Sequence, residues 1–306
     1  MRLVFAGTPD AAVPTLRRLA AEHDIAAVVT RPDAPLGRKR ILTPSPVAQA
    51  ALELGLPVIR AARLDDDATA QIAAMDAELG VIVAYGALVR EPLLSTPANG
   101  WINLHFSLLP RWRGAAPVQR ALIAGDEELG ASVFQLVPAL DAGDVFAMRT
   151  VRIAADATAD VALGALAVDG SDLVADVVAS IAAGTAVAVP QEGEPTLAPK
   201  LTWDDGLLDF SQTASEVFAR FRGVTPEPGA HTTVGGQRLK ILDAAPDAEH
   251  PALAPGEITA TKTALLIGTA SAPLAVRRVQ PAGKGAMTAV DWWRGQRGTE
   301  GLRAGS

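Results

Sequence analysis

Short apolar segments alternate with amphipathic ones along residues 1–150. Between the first two apolar segments, Leu16, Leu19 and Ala20 recur at helical spacing after Pro14. Near-continuous runs of Val, Ile, Leu and Ala are typical of strands that are buried on both faces of a parallel sheet. We therefore predict an open α/β sheet whose ligand lies beyond the carboxyl ends of its strands. The predicted strands cover residues 3–6, 25–29, 57–59, 79–84, 101–106 and 132–137.

The pattern changes after residues 186–205, a proline-rich stretch without periodicity that we interpret as a linker between domains at 1–185 and 206–306. Residues 211–222 have a helical pattern, with Ser211 as the expected cap. Two alternating runs around Gly235 and Gly236 predict a β-hairpin, and further strands are expected at 264–267 and 274–279. The second domain should thus be a small β-rich domain of barrel type.

Composition excludes several classes of protein. The chain has no cysteine, which excludes a disulfide scaffold, a thiolate nucleophile and an iron–sulfur cluster. Its four histidines are scattered, so no pair has the spacing of zinc ligands. Gly7 stands alone after the first strand, and the chain contains no G-x-G-x-x-G, P-loop or G-x-S-x-G motif. Dinucleotide-dependent oxidoreductases, P-loop nucleotidases and serine hydrolases are therefore disfavoured.

Neither a signal peptide nor a membrane-spanning helix is expected. The first residues, MRLVFAGTPD, form a strand that runs into a turn, and no segment reaches about 18 uninterrupted apolar residues. We expect a soluble, cytoplasmic, monomeric protein without a membrane partner.

Charge is uneven along the chain. The net charge is −7, but residues 206–306 carry 11 Lys and Arg against 9 Asp and Glu, a net of +2. A basic cluster of Arg38, Lys39 and Arg40 lies in a polar connection with four prolines between Thr30 and Val47. Such a long connection in an α/β unit indicates a functional loop, although a surface insertion would look the same. Charge alone leaves an RNA partner open without arguing for one.

One stretch concentrates polar residues at the carboxyl end of a predicted strand. Asn103 and His105 are two residues apart, so their side chains should leave the same face, whereas a satisfied core pair is the alternative. Asp141 follows the strand at 132–137, with a tight turn expected at Gly143. If the two strands are neighbours, Asp141 could approach His105, and Asp144 is an alternative partner.

An Asn, His and Asp set without a Ser or Cys nucleophile suits direct transfer of an acyl or formyl group to an amine. The amide N–H and a protonated imidazole would stabilise an oxyanion on the carbonyl. The carboxylate would keep the imidazole charged or receive a proton through water. No covalent enzyme intermediate is needed.

Four segments resemble the formyltetrahydrofolate-dependent transferase family. The most specific is NLHFSLLPRWRGAAPVQ at residues 103–119, which is followed by LDAGD at 140–144. FAGTPD at residues 5–10 and VQPAGKGAM at 279–287 also match. Within the family, the basic connection at Arg38 is similar to that of the members that act on tRNA.

This resemblance implies a Rossmann-like N-terminal formyltransferase domain and a smaller C-terminal OB-like barrel that binds tRNA. It implies transfer of the formyl group of 10-formyltetrahydrofolate, without a metal, to the α-amine of methionyl-initiator-tRNA. The residues that it assigns are catalytic Asn103, His105 and Asp141, folate-binding Ser107, Leu108, Leu109 and Pro110, and tRNA-binding Arg38, Lys39 and Arg40.

Three alternatives remain open. A sibling enzyme could formylate a nucleotide amino-sugar with the same site, although it should vary at RWRGAAPVQ and lack the basic loop. A sibling that formylates a purine-pathway amine would usually end after the first domain. A non-catalytic folate-binding or RNA-binding module would not need Asn103, His105 and Asp141 together.

Overall fold

The computed structural model describes residues 1–37, 39–296 and 301–305, which divide into two units. The first unit comprises Met1–Pro117, Glu128–Arg152 and Leu163–Ala198, and the second comprises Val118–Glu127, Ile153–Ala162 and the chain from Pro199 onward. Up to residue 198 the elements are β1 (Arg2–Gly7), α1 (Val13–Ala20), β2 (Asp24–Thr30), β3 (Ala34–Leu36), β4 (Ile41–Thr43), α2 (Pro46–Glu53), β5 (Val58–Arg60), α3 (Asp66–Ala73), β6 (Leu79–Val83), β7 (Trp101–His105), β8 (Arg113–Gly114), α4 (Pro117–Ala124), β9 (Leu129–Gln135), β10 (Val145–Val151), α5 (Ala159–Ala182) and β11 (Leu197–Ala198).

The first unit is built on a seven-stranded sheet in the order β10-β9-β7-β6-β1-β2-β5. The strands from β7 to β5 pair in parallel, whereas β9 and β10 are antiparallel to their neighbours. Strands β1, β2 and β6 are buried almost throughout, as their apolar runs predict. The strand order reverses between β1 and β6, which is where open α/β sheets form ligand crevices. The predicted α/β class is thus confirmed.

Close packing explains a glycine inside the sheet. Gly80 on β6 faces the indole of Trp101 on β7, and a Cβ at residue 80 would lie 2.1 Å from the ring. Trp101 is fully buried and donates its indole N–H to the carbonyl of Leu93 at 2.8 Å. This contact fixes the start of β7, the strand that carries Asn103 and His105 at its other end.

The basic connection between β2 and α2 contains a short hairpin. Strands β3 and β4 pair antiparallel, and Leu36, Ile41 and Leu42 are exposed on them. The hydroxyl of Ser45 caps α2 by accepting the N–H of Ala48. The predicted tRNA-binding residue Arg38 lies outside the described residues.

The second unit contains a curled antiparallel sheet. Its strands are β12 (His231–Val234), β13 (Gln237–Pro246), β14 (Ile258–Ala260), β15 (Leu265–Ile267), β16 (Leu274–Pro281) and β17 (Met287–Thr288), and the helices after residue 198 are α6 (Ala214–Val224) and α7 (Ala289–Arg294). The strands of this sheet are ordered β12-β13-β16-β15-β14, with β17 paired to β16. The last described residues bridge the two edges, since Ala304 pairs with Val234 and Arg303 with Glu257. This closure gives the predicted barrel-type domain.

Two local predictions need correction. The cap of α6 is Thr213, not Ser211, and Thr213 forms a capping box with Glu216, while Ser211 bonds to Asp209 in the preceding turn. The strand predicted at 132–137 begins earlier, at Leu129, and ends at Gln135. Among the described residues, no helix has both the length and the apolar character required to cross a membrane.

Candidate active site

Asn103 and His105 lie at the carboxyl end of β7, and their backbones pair with β9. Asn103 is opposite Phe134 and His105 is opposite Ser132. The intervening Leu104 is buried, so the strand alternation directs both polar side chains to the other face. The His105 ring meets the edge of Phe134, with ring centroids 6.3 Å apart.

The turn after β9 brings Asp141 to His105. Asp141 Oδ2 lies 3.9 Å from His105 Nδ1, and the two side chains are 12% and 7% exposed. The chain returns close to β9 at Gly143, where a Cβ would lie 1.7 Å from the carbonyl oxygen of Gln135. Asp144, the alternative partner, is exposed. The structure thus pairs His105 with Asp141.

The two nitrogens of His105 have different surroundings. Nε2 lies 2.8 Å from the carbonyl oxygen of Trp112, which can only accept, so Nε2 carries a proton. Nδ1 therefore holds the lone pair of the neutral ring and faces Asp141.

Burial lowers the pKa of His105 below its ordinary value, and this effect exceeds the opposite effects of Asp141 and the Trp112 carbonyl. His105 is therefore neutral at neutral pH. The sequence did not indicate this direction, because it does not reveal that the residue is only 6% exposed.

Asn103 is the polar residue of the site whose side chain is not already engaged. In the part of the chain that the structure describes, its carboxamide has no hydrogen-bond partner, and the residue is half-buried. An unengaged amide N–H beside His105 can donate to a ligand oxygen.

The loop after β7 is tied to β9 through Ser132. The Ser132 hydroxyl donates to the carbonyl of Ser107 at 2.6 Å and accepts the N–H of Leu109 at 3.1 Å. Ser107 donates its own hydroxyl to the carbonyl of Arg111, and Leu109 packs in a small apolar cluster with Phe134. The side chains of Ser107 and Leu109 are thus used within the protein, whereas Leu108 is half-buried and approaches Gly130. Pro110, the last predicted folate contact, is buried and joined to Leu109 by a cis peptide bond.

Sequence reasoning missed Gln191. Its Nε2 donates to the backbone carbonyls of Asp141 and Gly143, both at 2.9 Å, and its Oε1 accepts from the Arg113 guanidinium at 2.6 Å. A single glutamine in a proline-rich stretch carries no local signal of such a role. Of the basic residues predicted to bind tRNA, Lys39 and Arg40 are exposed in the turn between β3 and β4.

Within residues 1–37, 39–296 and 301–305, no group of three or more His, Asp or Glu residues is placed to hold a metal ion. The site therefore offers an amide donor, a neutral imidazole and a carboxylate.

Two family models match the chain: "Formyl transferase" over residues 1–178 and "Formyl transferase, C-terminal domain" over residues 200–297. The methionyl-tRNA formyltransferase of Clavibacter sepedonicus is 65% identical over 296 residues, which is 96% of this chain and 97% of that protein.

Solved structures have a similar fold. A methionyl-tRNA formyltransferase from Clostridium thermocellum matches with a TM-score of 0.58 and 15% identity, covering 82% of this chain and 95% of that chain. An N-formyltransferase from Helicobacter canadensis, in complex with folinic acid and dTDP-3-aminofucose, matches with a TM-score of 0.70 and 16% identity, covering 91% and 98%. With both of its units matched by family models and a near-full-length relative at 65% identity, the chain belongs to the formyl transferase family.

Proposed function

We propose that this enzyme transfers the formyl group of 10-formyltetrahydrofolate to the α-amino group of methionyl-initiator-tRNA. The observation that carries the chemistry is the geometry of His105, whose Nδ1 lies 3.9 Å from the Asp141 carboxylate beside an unengaged Asn103 amide. The acceptor is supported by the near-full-length identity to a methionyl-tRNA formyltransferase.

Asn103 stabilises the oxygen of the formyl group during attack by the amine. As the amine nitrogen bonds to the formyl carbon, negative charge develops on that oxygen, and a fixed amide N–H lowers its energy. The donor needs no rearrangement, because in the described chain it has no competing partner. This role requires Asn103 to contact the reacting group directly.

His105 takes up the proton that the attacking amine loses. Nδ1 is the accepting atom, since Nε2 already donates its proton to the Trp112 carbonyl. The imidazolium that forms is stabilised by Asp141, which is 3.9 Å away. His105 then returns the proton to the nitrogen of the departing tetrahydrofolate, and the imidazole is neutral again.

The formyl donor is a substrate, and its proposed contacts are in the loop at Ser107, Leu108, Leu109 and Pro110. Because the side chains of Ser107 and Leu109 are engaged inside the protein, contacts by these two residues would come from backbone groups other than the Ser107 carbonyl and the Leu109 N–H, which bond to Ser132. Leu108 has an accessible apolar side chain for the pterin.

The acceptor is proposed to contact the basic turn at Arg38, Lys39 and Arg40 and the C-terminal domain. We propose that residues 1–185 form the catalytic domain and residues 206–306 the tRNA-binding domain, with a linker at 186–205. An enzyme with an aminoacyl-tRNA as acceptor acts where translation begins, so we place it in the cytoplasm. The monomeric state stays a prediction.

A panel of acceptors tests this function. Wild-type enzyme and radiolabelled 10-formyltetrahydrofolate are incubated with methionyl-initiator-tRNA, free methionine or a nucleotide amino-sugar. We expect transfer to the tRNA alone. Transfer to the sugar would favour the sibling activity, and no transfer to any acceptor would favour a binding module.

A double variant, Lys39→Ala with Arg40→Ala, tests the basic turn. It should weaken binding of the tRNA and leave binding of the folate unchanged, because removal of two cations reduces phosphate attraction only. Unchanged affinity for the tRNA would contradict this part of the proposal. Arg152→Ala is the control, as it removes an exposed arginine that follows β10, at the opposite edge of the sheet from β2 and β5.

A further inference from the structure

Residues 191–198, which we name the strap, run along the loop that follows β7. Within the strap, β11 pairs in parallel with β8, so Leu197 lies beside Arg113 and Ala198 beside Gly114. Most of the strap is exposed to solvent, with Leu197 66% exposed. Its contacts are therefore concentrated on one side, and that side faces the residues that surround His105 and Asp141.

Gln191 fixes the backbone at Asp141. Asp141 has a φ of 45°, a left-handed conformation that residues other than glycine rarely adopt. Such a conformation persists only where surrounding contacts enforce it. Both hydrogens of the Gln191 amide are used there, on the carbonyls of Asp141 and Gly143. The opposite end of the same amide is held by Arg113.

Thr196 fixes the partner of the His105 imidazole. Its Oγ1 accepts the backbone N–H of Trp112 at 2.8 Å, and Trp112 has a φ of 62°. The carbonyl of the same residue accepts from Nε2 of His105. Thr196 thereby positions the group that decides which nitrogen of His105 carries the proton.

The strap also sets the position of Gly114. A Cβ at Gly114 would lie 2.7 Å from the carbonyl oxygen of Ala198, so only glycine allows the strap to approach so closely. The N–H of Gly114 donates to Oδ2 of Asp141 at 2.7 Å. This oxygen is the one that faces His105.

Three sets of contacts from one segment thus end on the two members of the His105–Asp141 pair. We propose that Gln191 and Thr196 are positioning residues for formyl transfer, which hold Asp141 and the imidazole of His105 in their reactive arrangement. Neither residue touches the reacting atoms. The catalytic consequence rests on the proposed function, whereas the arrangement of Asp141 and His105 by the strap does not.

Four variants and one control test the strap. Gln191→Met keeps the length of the side chain without its hydrogen bonds, and Gln191→Glu keeps the acceptor for Arg113 but loses both donated bonds. Thr196→Val keeps the shape without the hydroxyl, whereas Thr196→Ser restores the hydroxyl. Glu192→Gln changes an exposed neighbour and should match wild type.

The kinetic readout is the kcat and KM for both substrates. We expect Gln191→Met, Gln191→Glu and Thr196→Val to lower kcat by about 10²-fold, the loss typical of a misplaced reactive group, with KM nearly unchanged. Thr196→Ser should recover most of the rate. A kcat within twofold of wild type in the Met and Val variants would overturn the proposal, as would a failure of serine to rescue a folded valine variant.

The second readout is the NMR titration of His105, which needs no substrate. In Thr196→Val and Gln191→Met the midpoint of the His105 titration should fall below that of wild type. The reason is that the hydrogen bond from Nε2 to the Trp112 carbonyl and the nearby Asp141 charge both favour the protonated ring. An unchanged midpoint would overturn the positioning role. If wild type transferred no formyl group while the midpoint moved as expected, only the proposed function would fail.

Discussion

Replacement of Asp141 by asparagine removes one charge from the site and leaves its geometry in place. The amide oxygen of asparagine can still accept the N–H of Gly114, and asparagine tolerates the left-handed φ of 45° at this position. The contacts of Gln191 are with backbone carbonyls and are also retained. The variant therefore measures how much the Asp141 charge contributes to the imidazolium form of His105.

The separation of the two groups gives the size of the effect. At 3.9 Å, two opposite charges attract by about 4 kcal/mol at an effective dielectric constant of about 20, and by about 1 kcal/mol in water. Both side chains are largely buried, so the effect should lie nearer to the larger value. Because about 1.4 kcal/mol is a tenfold change, kcat should fall by between about fivefold and about 10³-fold.

Single-turnover formyl transfer with saturating tRNA measures this loss without interference from product release. The same preparation is titrated by NMR, where the pKa of His105 should fall below that of wild type, since the Asp141 charge raises it. A rate within twofold of wild type, together with an unchanged pKa, would refute the reasoning. Asp144→Asn, which removes an exposed charge three residues away, is the matched control.

Three further predictions concern the donor, the titration and the fold. Asn103→Ala should lower kcat by about 10²- to 10³-fold through loss of the oxyanion donor, and a smaller loss in steady-state assays would exclude that role. Burial lowers the pKa of His105 in the folded protein, so as pH falls the histidine is protonated in the unfolded chain before it is protonated in the folded one. In denaturant titrations, the free energy of unfolding of wild type should therefore decrease below pH about 6.5, relative to that of His105→Gln. Thr213→Ala should reduce the free energy of unfolding by about 1 kcal/mol, with Thr213→Ser close to wild type, and an equal loss in both would contradict the capping role.

The fold could be predicted where a local pattern repeats. Apolar runs predict the buried parallel strands, and the Gly235 and Gly236 pair predicts the hairpin of β12 and β13. The short strands predict a barrel-type second domain, but the residues that close it could not be predicted, because single bridges at Arg303 and Ala304 join distant edges without any periodic pattern. The cap of α6 could have been predicted, since Glu216 follows Thr213 by three residues, which is the spacing of a capping box.

Part of the candidate site could also be predicted from a local sequence pattern. The period of a strand places Asn103 and His105 on one face, and the neighbouring turn brings Asp141 to them. The protonation state of His105 depends on burial by segments that are distant in the sequence, so the residues next to His105 do not predict it. Gln191 reaches Asp141 from 50 residues away, and nothing adjacent to it in the sequence marks this contact.

The central claim is that His105 moves the proton during formyl transfer to methionyl-initiator-tRNA. The most direct measurement is the single-turnover rate of His105→Gln, in which the glutamine amide can still donate to the Trp112 carbonyl. The account predicts a loss of about 10²- to 10⁴-fold, with binding of the tRNA and the folate unchanged. A near-normal rate in a folded variant would contradict it.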